Sequence, residues 1–284
     1  MNPPQVSVAV VDAAGASACD AAAIAAGIPS RALMQRAGAA AAAEIARRFA
    51  DRLAQGVVVA TGSGNNGGDG WVVAHALHAA RVRVRVVECV AARTPDARAE
   101  REQALAAGVQ CTDGIDDLLS GGDAIVVDAL LGTGFTGRAI HGDTGLAVEK
   151  LHWLCNRGAA LVALDVPSGL DASTGASASA LRAALTVTFG TIKRGHLVAR
   201  ELCGTTVVVD IGLGSQAHAA GERMHLAAPW WFVGALPRIA ADAHKGTRKK
   251  VAIVGGAQGM AGAVVLAARA ALRSGAGLVR CVVA

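Results

Sequence analysis

Six short runs of nearly continuous apolar character recur along this chain, at residues 57–60, 82–87, 124–128, 160–165, 185–189 and 205–211, with helical or loop-like sequence between them. A strand with one solvated face alternates apolar and polar residues, whereas a strand covered on both faces does not. Runs of this kind spaced by helical stretches predict a parallel sheet with helices on both sides. The expected fold class is α/β, a Rossmann-like three-layer sandwich with a mostly parallel sheet. Ahead of the first run, Ser30 stands as a candidate N-cap, and Leu33, Ala37, Ala41, Ile45, Phe49 and Leu53 recur near every fourth position, which predicts an amphipathic helix.

An apolar fraction of 53% invites a membrane reading, but runs such as residues 21–26 and 39–43 are alanine-rich, and alanine buries little area. Glycine, arginine or aspartate interrupts every stretch before the roughly 20 apolar residues that a bilayer requires. The opening MNPPQVSVAVVDAAG lacks the basic segment of a signal peptide, so no membrane partner and a cytoplasmic location are expected. Cys19, Cys89, Cys111, Cys155, Cys203 and Cys281 form no CxxC pair and read as small core residues in a reducing compartment. The formal charge is +5, but the arginines are scattered, and a chain with no tyrosine and four phenylalanines offers little for bases to stack on. An anionic small molecule is the expected partner, and no nucleic acid.

The regular pattern fades between residues 212 and 247, where glycine, proline and the Trp230–Trp231 pair accumulate. A new strand, glycine loop, helix and strand follow: KKVAIVGG, AQGMAG, AVVLAARAALRSG and GLVRCVVA. We expect a domain over 1–215, a linker over 216–243 with the tryptophans packing in it, and the truncated start of a second α/β domain over 244–284.

Three glycine-rich, acidic loops carry the chemistry. TGSGNNGGDG follows the first strand and precedes a helix expected to start near Asp69. Gly62, Gly64 and Gly67 satisfy GxGxxG, and Glu88 ends the next strand where a ribose-binding acid would stand, although a tight turn without a ligand explains the glycines equally. Its asparagines and aspartate need partners when shielded from water. DALLGTGFTGR places Asp128 at a strand end, ahead of glycines that let backbone amides approach a phosphate, with Arg138 available for charge. LDVPSGLD repeats the arrangement with Asp165 and Ser168. In open α/β sheets such loops converge outside the carboxyl ends of the strands.

Together, GSGNNGGDGWVVAHAL, VDALLGTGFTGR, LDVPSGLDASTG and TVTFGTIKRGHL, with GIPSRALMQRAG near the start, resemble the NAD(P)H-hydrate epimerase family, the YjeF N-terminal domain, over residues 8–213. The resemblance implies that Asn65, Asn66, Gly67, Gly68 and Asp69 contact a hydrated dinucleotide, NADHX or NADPHX. It implies further contacts from Gly132, Thr133, Gly134, Phe135, Thr136, Gly137 and Arg138, with Asp165 at the nicotinamide end. It also implies a potassium ion held by Asn66, Asp128 and Ser168, whose oxygens suit a hard cation, and a homodimer or higher homo-oligomer. Asp165 is then the candidate general acid/base, since inverting the hydroxylated ring carbon requires the hydroxyl to leave and water to return on the other face. Asp128, beside a cation, is the weaker candidate.

Lys193, Arg194 and His196 in TIKRGH could reach a phosphate or form a solvated basic turn, and both readings stay open. His75 and His78 have metal-compatible spacing without a third ligand and read as a solvated helix face. HKGTRKKVAIVGGAQGMAGAVVLAARAALRSGAGLV resembles the start of the ADP- or ATP-dependent NAD(P)H-hydrate dehydratase, a ribokinase-like fold, with Lys249 where that family usually has glycine. The resemblance implies a bifunctional parent that dehydrates S-NAD(P)HX, and no such activity from this chain alone. The competing function is a non-catalytic nucleotide-binding module on the same fold. An ordinary NAD-dependent dehydrogenase comes third, since no catalytic His, Tyr-Lys or Cys constellation is evident.

Overall fold

The computed structural model describes residues 8–177, 179–218, 224–227, 236 and 238–283; Trp230 and Trp231 lie outside the described residues. The chain divides into two units, Met1–Ala227 and Ala228–Ala284.

In the first unit the apolar runs become strands β2 (Val57–Thr61), β3 (Val84–Glu88), β5 (Ile125–Ala129), β6 (Ala160–Leu164), β7 (Leu185–Phe189) and β9 (Thr205–Val209). With β4 (Gln110–Thr112) they form one seven-stranded sheet in the order β4-β3-β2-β5-β6-β7-β9. Every pairing in it is parallel. β4 escaped the sequence pattern because it is a short edge strand whose Gln110 and Thr112 are exposed. A parallel two-residue pair, β1 (Val10–Val11) with β8 (Ile192–Lys193), lies apart from the sheet.

The alternation inside the apolar runs sorts side chains between two cores. Val57, Val59, Ile125 and Val127 pack with Leu33, Ala41, Ile45, Trp71 and Leu77, residues of α2 (Ser30–Arg48) and α3 (Asn65–Ala79). Val58, Ala60 and Val126 pack on the opposite face with Ala147, Val148, Leu151 and Leu154 of α5 (Gly142–Asn156). The remaining helices are α1 (Ala13–Ala25), α4 (Pro95–Ala106), α6 (Arg194–Val198) and α7 (Arg200–Cys203).

Two helix starts differ from the sequence reading. Ser30 is the first helical residue of α2; Pro29, fixed near φ −59° and ψ 136°, takes the cap position, and the Ser30 hydroxyl donates to Asp96 Oδ2 at 2.6 Å. α3 begins at Asn65 and not near Asp69, because Gly64 adopts the extended conformation of a cap at φ −93° and ψ −167°. NNGGD is therefore the opening of a helix, not a loop ahead of one. Cys19, Cys89 and Cys203 are buried as expected of core thiols, whereas Cys111 and Cys155 are half-buried and Cys281 is exposed.

The second unit contains β10 (Lys250–Val254), the helix Ala261–Arg273 and β11 (Leu278–Val282), with the two strands paired in parallel. No helix among the described residues is long and apolar enough to cross a membrane.

Candidate active site

Connections leave β2 toward β3 and β4 on one side and toward β5, β6, β7 and β9 on the other, so the β2–β5 edge is the topological switch point of the sheet. The loops after β2, β5 and β6 meet there around a cavity of about 680 Å³, lined also by residues of α1 and α2. Asn65, Asn66, Asp69, Gly132, Thr133, Gly134, Phe135, Thr136, Arg138 and Asp165 all line it. Gly67, Gly68 and Gly137, which were grouped with them, do not. A Cβ on Gly67 would fall on the carbonyl oxygen of Gly62, and one on Gly62 would fall on that of Leu130. Those glycines let the start of α3 press against the β2 and β5 loops, and this close approach accounts for the GxGxxG pattern. Glu88 is buried away from the cavity, accepting from Arg101 Nε at 2.8 and 3.0 Å and from the Ala92 N–H at 3.2 Å. It is not a ribose ligand.

Asp128 and Ser168 lie behind the wall, both fully shielded. The Ser168 N–H and hydroxyl donate to the Asp128 carboxylate at 2.8 and 2.6 Å. The Leu131 N–H donates to Ser168 Oγ at 2.9 Å, and Asn66 Nδ2 donates to the Leu131 carbonyl at 2.8 Å. One chain of contacts thus joins the three residues expected to hold potassium. Burial pushes Asp128 up to about 6, although the bonds from Ser168 and Leu130 pull the other way. Asn66 Oδ1 is buried with no hydrogen-bond partner among the described residues. A buried carboxylate with no ion-pair partner among the described residues and an orphaned amide oxygen are what a hard cation would satisfy, so this donor set fits potassium. Among the described residues no group of three or more His, Cys, Asp or Glu is placed to hold a metal ion.

Asp165 follows β6 in the left-handed region, at φ 60°. A non-glycine residue there costs on the order of 1 kcal/mol or more, a strain that surrounding structure must hold. Its N–H donates to the Val187 carbonyl at 2.8 Å, and its Oδ1 accepts from Thr188 Oγ1 at 3.1 Å and the Phe189 N–H at 3.2 Å. The third donor is the Lys193 ammonium. Lys193 is 2% exposed, and its Nζ also reaches Thr188 Oγ1 at 2.9 Å and the carbonyls of Phe189 and Thr191 at 3.3 and 3.4 Å. Burial alone would raise the Asp165 carboxyl, but the charge and hydrogen bond of Lys193 prevail and hold it below the ordinary carboxylate range.

TIKRGH is therefore not a solvated basic turn. Lys193 lines the cavity as the counter-charge of Asp165, and His196 is buried with Nδ1 accepting from the Lys193 N–H at 3.3 Å. Burial, then the Lys193 charge, pushes His196 down to about 4. Arg194 is the exposed member, donating to the Ser173 carbonyl at 2.6 Å. The signal that could have found Lys193 is its position just beyond a strand whose carboxyl end shares the edge of the three acidic loops. His75 and His78 are half-buried.

Residues 30–195 match the family model described as YjeF-related protein N-terminus. Among curated relatives, the bifunctional NAD(P)H-hydrate repair enzyme Nnr of Moorella thermoacetica is 37% identical over 271 residues, covering 89% of this chain and 49% of that protein. Its namesake from Thermanaerovibrio acidaminovorans is 38% identical over 282 residues, covering 92% of this chain and 52% of that protein. The crystal structure of the yeast protein YNL200c superposes with a TM-score of 0.61 at 25% identity, covering 72% of this chain and 88% of the yeast chain. The chain spans about half the length of the curated relatives it matches. With the matched segment containing all three site loops and the Asp165–Lys193 pair, this chain belongs to the family of YjeF-related protein N-termini.

Proposed function

We propose that the first unit interconverts the R and S forms of hydrated NADH and NADPH. The observation that carries this reading is a carboxylate held ionised by a buried lysine on the wall of a dinucleotide-sized cavity, in a chain whose relatives are named NAD(P)H-hydrate repair enzymes. The cavity volume is in the range of small-molecule and cofactor sites. The free N–H groups at the start of α3, the loop 132–138 and Arg138 suit the pyrophosphate, with Asp165 toward the hydroxylated ring.

Inversion proceeds through loss of hydroxide assisted by the ring nitrogen lone pair, followed by addition of water to the opposite face of the resulting cation. Asp165 is the base for that addition: an ionised carboxylate takes the proton of water as its oxygen bonds to carbon. Lys193 keeps Asp165 ionised while three further oxygens share its hydrogens. Asn66, Asp128 and Ser168 would hold potassium, whose charge would neutralise Asp128 and tie the β2, β5 and β6 loops together.

The reading also includes a division at 1–215, 216–243 and 244–284, with the last segment opening a dehydratase-like domain. It includes a homo-oligomer in the cytoplasm. The word bifunctional in the relatives' names and their double length support the second domain.

The test is stereochemical. Purified chain is incubated with R-NADPHX, with and without potassium, and formation of the S epimer is followed against the spontaneous rate. Acceleration that disappears in Asp165→Asn is expected; tight binding without acceleration would establish the non-catalytic module instead.

A further inference from the structure

One ionised carboxylate cannot serve both halves of an inversion. The leaving hydroxyl needs a proton on one face of the ring carbon, and the entering water must lose one on the other. An acid that returned its own water would restore the starting epimer. Given the epimerase reading, the site should therefore contain a second group, neutral where Asp165 is charged.

Asp69 lines the same cavity and is 8% exposed. Its carboxyl has no hydrogen bond or ion pair among the described residues, unlike Asp165 with its three donors. An ionised carboxylate so shielded and so unpartnered would be costly, whereas a neutral carboxyl is not. Its position is rigid as well as buried. A Cβ on Gly68 would strike the Met34 thioether and one on Gly70 would strike Ala129 Cβ, so α3 is clamped on both sides of the residue. The charged groups that act on it are Asp165 after β6, Asp20 on α1, Lys193 on β8 and Glu100 on α4. Burial, then repulsion from Asp165 and Asp20, raises it well above the ordinary range, with Lys193 opposing.

We propose that Asp69 is the second catalytic residue, the general acid that protonates the leaving hydroxyl on the face of the ring opposite Asp165. The Asp69 proton passes to the hydroxyl oxygen as the carbon–oxygen bond breaks, its electrons leave with the departing water, and the nitrogen lone pair forms the ring C=N bond. Water then bonds to carbon from the other face, the π electrons return to nitrogen, and Asp165 takes the proton. Solvent exchange within the cavity returns one proton to Asp69 and removes one from Asp165. The reverse epimerisation runs the same steps backward. Two of the three carboxyls that line the cavity, Asp69 and Asp165, set apart in protonation by their surroundings, provide this division of labour.

The experiment compares wild type, Asp69→Asn and Asp69→Glu as R-NADPHX epimerases across pH, with circular dichroism melts as the control for folding. Asparagine keeps the shape and neutrality of the protonated acid but has no proton to give. We expect kcat in Asp69→Asn to fall by roughly 10²- to 10⁴-fold with KM little changed. We also expect the loss of rate as pH rises through the Asp69 titration to vanish from its profile, and partial recovery of kcat with that limb in Asp69→Glu. Acceleration by wild type with wild-type kcat in Asp69→Asn would overturn the role of Asp69 alone. A raised KM with an unchanged pH profile would do the same, reducing Asp69 to a binding contact. Absence of acceleration by wild type would overturn the epimerase reading and this proposal with it.

Discussion

Replacing Lys193 with methionine tests the physical core of the site without any substrate. The Lys193 side chain is 3% exposed and that of Asp165 14%, so the pair sits where water screens little. Methionine approximates the lysine stem and removes its charge and its hydrogen bonds to Asp165, Thr188, Phe189 and Thr191. Breaking a buried pair from one side costs about 3–5 kcal/mol, because the other charge remains buried. The dependence on pH should also change sign. In the wild type Asp165 lies below its ordinary value, so its contribution is complete above the unfolded-state value near about pH 4 and is lost as pH falls through the folded-state value. Without Lys193, burial, the largest influence on that carboxyl, goes unopposed by its main partner. The folded state then holds a proton the unfolded state has released, and stability declines as pH rises from about 4 toward 7. Urea unfolding of wild type, Lys193→Met and Lys193→Met/Asp165→Asn at pH 5 and pH 7 separates these effects. The double variant should recover most of the loss, since it no longer buries a lone charge. A single variant within about 1 kcal/mol of wild type at pH 7, or one that loses no more stability between pH 5 and pH 7 than the wild type does, would refute the reasoning.

Two further outcomes follow from the same geometry. Gly67→Ala puts a methyl group on the Gly62 carbonyl oxygen, a backbone atom that cannot rotate away, so a loss of about 1–3 kcal/mol or more is expected in thermal melts together with a weakened cavity. Potassium chloride, compared with choline chloride at equal ionic strength, should raise the melting temperature of wild type and not of Asn66→Ala, which lacks the orphaned amide oxygen; equal shifts in both would remove Asn66 from the cation site.

The strands of the main sheet were legible because a strand covered on both faces has no polar positions to spare. Val57, Val58 and Val59 announce it whichever face each one meets. β4 was not, since an exposed edge strand such as Gln110–Thr112 needs no apolar run. The start of α3 was misplaced because Gly64 caps the helix by its backbone conformation, with no side-chain bond to mark it. Asp128 and Asp165 stood out as polar residues ending apolar runs and Ser168 as part of the Pro-Ser-Gly turn that follows, and their convergence on one sheet edge follows from parallel strands alone.

What the sequence determined by itself was the sheet, its two cores and the edge where its loops meet, all consequences of local pattern. The tertiary structure decided which of those polar residues carry charge. Lys193 lies 28 residues beyond Asp165, beside arginine and glycine that locally suggest a solvated turn, and only the turn out of β7 into β8, which pairs with β1, brings its ammonium onto that carboxylate. Asp69 reads as one more polar residue in a glycine loop until α3 is seated and its carboxyl is left without a donor among the described residues. Protonation depends on what surrounds a group within a few ångströms, and those neighbours come from parts of the chain that the local sequence does not specify.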